Sequence, residues 1–352
     1  MTDQFITDLA ERVRDHAARK APLRIRGGGT KDFYGARLDG EPVDIAGYAG
    51  IVAYEPRELV LTVKAGTRLA DIESALAAEG QMLPFEPPRF GDAATIGGTV
   101  ACNFSGPRRP YAGAARDFVL GARIVNGKGE DLSFGGRVIK NVAGYDVSRL
   151  MAGALGTLGI LTELSFKVLP RPPAEATLAF EMDEARMIES VNRWAGQPLP
   201  LSGTAWEAGT LRIRLTGAAS AVAAARAKLG GSDVDGGPAY WEGLREHRLP
   251  FFASNRALWR LSVAQTAASV ALAHPQLIEW GGGQRWVSGD LDAAWVRDAA
   301  GYARGYATLF RGGDRGAGVF HPLAPAIAKI HRRLKDAFDP AGILNPGRMD
   351  NF

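Results

Sequence analysis

Apolar side chains recur at helical spacing near the start of the chain, with Phe5, Ile6, Leu9, Val13 and Ala17 on one face, so an amphipathic helix is expected over 5–20. The period then changes. Leu23-Arg24-Ile25-Arg26 reads as a short strand that runs straight into Gly27-Gly28-Gly29-Thr30. Residues 42–45, 50–54 and 58–63 read as further short strands, the last rich in β-branched side chains. A helix over 68–79 follows, with Leu69, Ile72 and Leu76 on one face and Gly66-Thr67 capping its start. Pro84, Pro87 and Pro88 stiffen the next segment. Residues 94–100 form a second glycine-rich turn, too polar and too rich in glycine to be core. Residues 119–125 and 131–134 pair as a hairpin about Asn126-Gly127, a dipeptide suited to a type I′ turn. A third glycine cluster, spanning 141–159, releases a strand at Ile160, and Pro170, Pro172 and Pro173 close it.

The pattern differs from residue 175 onward. Strand-like runs at 176–181, 211–215, 258–263 and 277–280 alternate with helical ones near 184–195, 218–229 and 291–300, which suggests an α+β unit on an antiparallel sheet. A closing helix over 323–338 carries Leu323, Ile327, Ile330, Leu334 and Phe338 on one face, ahead of Asp339-Pro340 and Asn345-Pro346-Gly347.

Composition narrows the chemistry. The 352 residues are 46% hydrophobic and 23% charged, as in ordinary globular proteins. The single cysteine, Cys102, rules out an internal disulfide and any multi-cysteine cluster within the chain. No leader pattern and no long apolar run is evident, so neither secretion nor membrane spanning is expected. The net charge of +4 is carried by scattered residues without a basic stripe, which argues against nucleic acid. There is no G-x-S-x-G, no Walker spacing around Gly127-Lys128-Gly129, and no Rossmann fingerprint, because Asp32 stands where the closing glycine belongs. The five histidines (16, 247, 274, 321 and 331) are dispersed, so no metal site is expected.

What remains is three glycine-rich turns spread over about 130 residues. Consecutive residues without Cβ let backbone amides converge on an anion, and Thr30 adds a donor, so the first turn is a candidate diphosphate cradle. Three such turns in order suit one elongated ligand, such as a dinucleotide, held between two subdomains.

These segments resemble the FAD-linked oxidases of the vanillyl-alcohol-oxidase type. Arg26-Gly27-Gly28-Gly29-Thr30 is similar to that family's diphosphate loop. The proline-rich segment, Thr95-Ile96-Gly97-Gly98-Thr99, Gly156-Thr157-Leu158-Gly159-Ile160 and the terminal Asn345-Pro346-Gly347 follow in the family's order. Within the family, Gly80 to Pro88 and Asn141-Val142-Ala143-Gly144-Tyr145-Asp146 resemble the FAD-binding subunits of bacterial glycolate oxidases.

The resemblance implies an α+β fold in which a PCMH-type FAD-binding domain of two subdomains occupies residues 1–172. An antiparallel-sheet cap would span 173–318, and a C-terminal helix with its Asn-Pro-Gly segment, 319–352, would return to the first domain. It implies non-covalent FAD, since Thr30 stands where covalently flavinylated relatives often carry histidine. Gly27, Gly28, Gly29 and Thr30 would wrap the pyrophosphate. Gly97, Gly98, Asn103 and Gly106 would follow the ribityl and phosphate region. Gly144, Tyr145, Asp146, Gly156, Gly159 and Ile160 would enclose the adenosine half, with Pro87 and Asn345 near the isoalloxazine. Arg26, Thr95, Ile96 and Asn141, within the same motifs, would also be cofactor-binding.

The implied role is that of an FAD-binding subunit oxidising glycolate, a small 2-hydroxy acid, to glyoxylate. It would work beside a catalytic flavoprotein subunit and an iron–sulfur subunit, in the cytoplasm or peripherally on the inner membrane through the complex. No catalytic residue follows, because the histidine-bearing Gly-Asp-Gly-Asn segment of related dehydrogenases is missing. Gly281-Gly282-Gly283-Gln284-Arg285 and Gly312-Gly313-Asp314-Arg315 have the glycines without it. His321 and Arg260 stay open as a base and a carboxylate partner. A stand-alone dehydrogenase of a substrate such as D-lactate, or a structural subunit with weak FAD binding, stays open as well.

Overall fold

The computed structural model describes residues 3–136, 146–270 and 274–349. The first half of the chain runs through α1 (Gln4–Arg19), β1 (Leu23–Arg26), β2 (Glu41–Asp44), β3 (Ile51–Glu55), β4 (Val60–Lys64), α2 (Leu69–Ala78), β5 (Gln81–Met82), α3 (Ile96–Cys102), α4 (Arg109–Ala112) and α5 (Ala115–Phe118). It continues through β6 (Val119–Val125), β7 (Asp131–Gly135), α6 (Val147–Met151), β8 (Ile160–Lys167) and β9 (Leu169–Pro170). The second half holds β10 (Ala174–Glu181), α7 (Glu184–Ala195), β11 (Leu201–Glu207), β12 (Thr210–Gly217), α8 (Ala219–Leu229), β13 (Ser232–Asp233), α9 (Gly237–Arg245) and β14 (Leu258–Ser262). It ends with β15 (Gln276–Glu279), β16 (Gln284–Ser288), α10 (Ala293–Tyr302), β17 (Tyr306–Arg311) and α11 (Pro325–Phe338).

Two compact units result. One comprises residues 1–104, 114–170 and 322–352; the other comprises 105–113 and 171–321. Segment 105–113, which lies inside the first domain in the sequence reading, therefore groups with the second unit. Its ties there are specific. Arg108 donates to Thr216 Oγ1 at 3.0 Å, the Arg109 guanidinium lies 4.5 Å over the Trp280 ring, and Trp280 Nε1 donates to the Gly106 carbonyl at 3.1 Å.

In the first unit an antiparallel sheet of order β3-β4-β8-β6-β7 carries fully buried Leu61, Val63, Ile124, Leu164 and Phe166. A separate parallel pair, β1 with β2, sets the approach to the first glycine turn. The end of the chain joins this pair. Leu23 donates to the Ile343 carbonyl at 2.8 Å, and the amide of Asn345 donates to the Leu23 carbonyl at 2.9 Å.

The second unit is built on an eight-stranded sheet of order β13-β10-β12-β11-β15-β16-β14-β17. Its helices cover separate parts of one core: α7 and α8 pack Met187, Val191 and Val222 against Leu211, Ile213 and Leu215, while α10 packs Val296 and Ala300 against Trp259 and Leu309. Asp183 and Asp292 cap α7 and α10 by accepting from Arg186 N and Trp295 N, satisfying first-turn amides.

Local expectations are corrected in three places. Residues 94–102 are not a polar turn: Thr95 caps α3, and Ile96, Thr99 and Val100 are fully buried. Gly97 is what allows this, since a Cβ there would collide with Ala65. The hairpin between β6 and β7 does not use a two-residue type I′ turn. Its loop spans 126–130, Gly129 takes the positive φ (+70°), and Asn126 Oδ1 accepts from Lys128 N and Glu130 N. The N-cap of α2 is Arg68, not Gly66-Thr67, and Thr67 Oγ1 instead donates to the Lys64 carbonyl at 2.6 Å. Beyond these, β16 is a wholly buried strand, and its Arg285 is enclosed by Glu184 and the carbonyls of Ala267 and Ala268.

Candidate functional site

The first glycine turn opens on a cleft assembled from several separate stretches of the chain. Residues 25–32 form one wall. The others come from Ala65, from Thr95 to Cys102, from Leu155 to Leu161, and from Asn345 and Arg348. Of the residues proposed from the sequence, Arg26, Gly27, Gly28, Gly29, Thr30, Thr95, Gly97, Gly98, Gly156, Gly159 and Asn345 line this one cleft, although they come from four separate stretches of chain.

The chemistry of the wall suits an anion. Among the described residues, none of the amides of Gly27, Gly28, Gly29 and Thr30 donates a hydrogen bond to another protein group. Four consecutive uncommitted donors in a half-buried turn are available to a ligand or to water. The turn is held in shape from outside. A Cβ on Gly28 would overlap the Ala93 carbonyl, one on Gly27 would overlap Thr95 Oγ1, and the Arg26 guanidinium lies across Gly29, whose φ is +72°. Arg26 is itself 3.3 Å from Asp32, so the wall carries a cation partly offset by a carboxylate. Arg348 donates to the carbonyls of Lys31 and Asp32 at 3.1 and 3.3 Å, tying the end of the chain to the segment that follows the turn. Ile25, Leu38, Ile45, Ala65 and Leu161 supply apolar surface. The combination of a polar loop at one edge and an apolar lining matches what FAD requires of its site.

Asn345 holds two walls together. Its Oδ1 accepts from Ile25 N at 2.7 Å and its Nδ2 donates to the Leu155 carbonyl at 2.7 Å. Beneath it, the buried Lys335 ammonium donates to Asp339 Oδ2 (2.6 Å) and to the carbonyls of Thr157 (2.8 Å) and Leu344 (3.0 Å). Asp339 in turn accepts from the amides of Ile343 and Leu344. Burial pushes the Lys335 ammonium below its ordinary pKa, an effect Asp339 opposes.

Other residues named from the sequence sit elsewhere. Ile96 and Ile160 are fully buried behind the cleft, and Pro87 is buried outside its lining. Asn103 ends α3 in the left-handed conformation and accepts from Arg116 N at 3.3 Å. Gly106 accepts from Trp280 in the second unit. Asp146 caps α6 through Arg149 N and pairs with the Arg149 side chain at 3.0 Å. Asn141, Gly144 and Tyr145 lie outside the described residues. Sequence reasoning missed Lys31, Cys102 and Arg348 as lining residues. For Arg348 a signal existed, a cation three places after the Asn-Pro-Gly segment's asparagine.

In the second unit His321 Nδ1 lies 3.4 Å from Ala307 N, and the Arg260 guanidinium lies 5.6 Å over the Phe310 ring. Burial holds the His321 imidazole below its ordinary pKa. Glu279 is buried, and its Oε1 accepts from Gln284 Nε2 (2.6 Å) and Trp286 Nε1 (2.7 Å). Burial pushes this carboxyl up to about 7, against those two hydrogen bonds and nearby Arg260. Among the described residues no group of three or more His, Cys, Asp or Glu side chains could hold a metal ion, and no helix is long and apolar enough to cross a membrane.

A family model described as an FAD binding domain matches residues 5–135, and one described as the C-terminal domain of FAD linked oxidases matches residues 323–349. The chain belongs to the FAD-linked oxidases, of PCMH-type α+β fold, and its cofactor is FAD. Over 341 residues it is 47% identical to glycolate oxidase subunit GlcE of Escherichia coli strain K12, covering 97% of this chain and 96% of that protein. Glycolate oxidase subunit GlcD of Bacillus subtilis strain 168 is 37% identical over 128 residues, 36% of this chain and 27% of its own length. D-lactate dehydrogenase of Anaerostipes hadrus is 38% identical over 128 residues, 36% of this chain and 26% of its own. An alkyldihydroxyacetonephosphate synthase structure superposes with a TM-score of 0.66 at 15% identity, covering 97% of this chain and 75% of that one, which shows the fold alone.

Proposed function

We propose that this chain is the FAD-binding subunit of a glycolate-oxidising complex, acting beside a second, catalytic flavoprotein subunit and an iron–sulfur subunit. The observation that carries this reading is the likeness to GlcE, which extends over nearly the whole of both chains; likeness to GlcD and D-lactate dehydrogenase covers about a third of this one. Bound FAD supplies a two-electron acceptor for the pair released when the alcohol carbon of a 2-hydroxy acid becomes a carbonyl.

The chain's own residues do the holding. The amides of Gly27 to Thr30 would hold the diphosphate, Arg348 would brace the segment that follows them, and Gly97, Gly98, Gly156 and Gly159 would leave room for the cofactor beside the backbone. The resemblance at Thr30, where covalently flavinylated relatives often carry histidine, makes the cofactor dissociable in this reading. A single cysteine leaves any iron–sulfur cluster to another chain.

Flavin absorbance of the purified chain, before and after trichloroacetic acid precipitation, tests the cofactor half: yellow supernatant is expected, and a yellow pellet refutes dissociable binding. Anaerobic glycolate or D-lactate is then added to the chain alone and to the assembled complex. Bleaching only in the complex is expected. Bleaching by the isolated chain would refute the division of labour and indicate a stand-alone dehydrogenase.

A further inference from the structure

Lys31 follows the first glycine turn directly and lines the same cleft, yet only 7% of it is exposed. Taking an ammonium out of water is costly, and lysine is rarely enclosed unless its donors are answered. Its Nζ donates to the Arg89 carbonyl at 3.1 Å and to Thr30 Oγ1 at 3.3 Å. The surroundings hold it there. The Phe90 ring lies 6.0 Å from the ammonium, and Phe90 takes a φ of +53°, which bulky residues seldom adopt, in the bend that presents the Arg89 carbonyl. The Arg89 side chain is tied to Glu73 of α2, and the Lys31 carbonyl accepts from Arg348 at 3.1 Å, so both ends of the lysine are fixed.

The bond to Thr30 settles a direction. An ammonium can only donate, so the threonine oxygen accepts in this bond, and the hydroxyl keeps its own proton for another partner. Among the described residues no protein group takes that proton. The hydroxyl stands at the end of a turn whose four amides are equally uncommitted. Amides and a hydroxyl offer dipoles without net charge, whereas each phosphate of a diphosphate is an anion. Arg26, a second cation on this wall, is offset by Asp32 at 3.3 Å.

We infer that Lys31 is a positioning residue of the diphosphate site: its ammonium leaves the Thr30 hydroxyl proton to the cofactor and adds the charge that backbone amides cannot. This rests on the placement of the FAD diphosphate at residues 27–30 proposed above. The ligand class that Lys31 favours is a nucleotide bearing a diphosphate, with or without a flavin attached.

The test uses the full-length chain stripped of FAD. FAD affinity is read from flavin fluorescence, and ADP, which carries the diphosphate without the flavin, is competed against it. Wild-type chain should release FAD to ADP. Lys31→Met should weaken both ligands to a similar extent, roughly tenfold, as expected for the loss of a charge-assisted contact. Thr30→Val should weaken both as well, and adding Lys31→Met to it should cost less than in the wild-type background, since part of the lysine's effect passes through the hydroxyl. Urea unfolding of the stripped chains shows that each variant folds. Lys31→Gln, which keeps a donor without the charge, is the second variant should Lys31→Met not fold, and the same weakening is expected of it.

Lys31 variants that bind FAD and ADP as wild type does, while Gly28→Ala binds neither, overturn the inference and leave the diphosphate at the turn. Wild-type affinity in Gly28→Ala also overturns both. Weakened FAD with unchanged ADP moves the lysine's effect away from the diphosphate and overturns the inference. Full additivity of Thr30→Val and Lys31→Met overturns the part assigned to the hydroxyl.

Discussion

Asn345 offers a sharp separation between building a cofactor site and touching the cofactor. In Asn345→Ala the Ile25 amide and the Leu155 carbonyl both lose their partners, and each stays in a position where water has poor access. Leaving two buried groups unsatisfied costs roughly 1–3 kcal/mol apiece, about 2–6 kcal/mol together. A further cost comes from φ of +42°, which asparagine tolerates better than alanine. Asn345→Gly removes only that last part, so it should destabilise nearly as much as alanine. In Asn345→Asp the acceptor for Ile25 survives, but a carboxylate oxygen faces the Leu155 carbonyl. Its stability should therefore recover as pH falls and the carboxyl becomes a donor.

The assay has two arms, denaturant unfolding of the FAD-stripped chain and FAD affinity by quenching of flavin fluorescence. Because Asn345 ties the strand before Gly27 to the turn before Gly156, loosening it should cost stability without FAD and also lower affinity at least tenfold, each factor of ten being about 1.4 kcal/mol. An Asn345→Ala chain with wild-type stability but weakened FAD binding would refute the clip and mean that the amide contacts the cofactor directly.

Three further outcomes follow from the same structure. Gly28→Ala should abolish FAD retention, because its Cβ meets a backbone oxygen, whereas Gly98→Ala meets only Thr95 Oγ1 at 3.2 Å and should retain most of it; equal flavin content in the two would contradict the cradle geometry. Lys335→Met leaves Asp339 buried without its cation and should cost about 3–5 kcal/mol in urea unfolding, a loss below 1 kcal/mol being inconsistent with the network described. Glu279→Gln keeps an acceptor for Gln284 and Trp286 but cannot ionise. The wild-type carboxyl is raised from 4.5 to about 7 in the fold, so the unfolded chain releases its proton first and stability falls as pH rises through that window. The variant should remove a slope amounting to about 3 kcal/mol at most; parallel stability–pH curves for the two proteins would show that Glu279 is not the group responsible.

Much of the fold was legible because period and burial coincide. The opening helix, the strands leading to and from the first glycine turn, and α7 all bury the stripe their sequence displays. Legibility failed where glycine or charge hides a core position. Residues 96–102 look polar, but the absence of Cβ at Gly97 lets a helix press onto Ala65. Strand β16 went unassigned because its Gln284 and Arg285 are buried on partners, Glu279 and Glu184, that no local pattern reveals. Within the cleft, the glycine residues announced themselves, whereas the role of Arg348 depends on carbonyls 316 and 317 residues away, a pairing no local pattern encodes. The apolar stripe of α11 was legible as a stripe, but not that Leu323, Ile327 and Ile330 at its leading end are exposed while Leu334 and Phe338 are half-buried.

The hydrogen bond from Ile25 to Asn345 spans 320 positions of sequence, so the order of synthesis matters to the cofactor. The glycine turn is made long before the residue that braces it. Until residues 339–348 have been released to pack against β1, the cleft lacks one wall. Loading is thereby deferred until Asn345 has been made, and a chain interrupted before it should stay colourless.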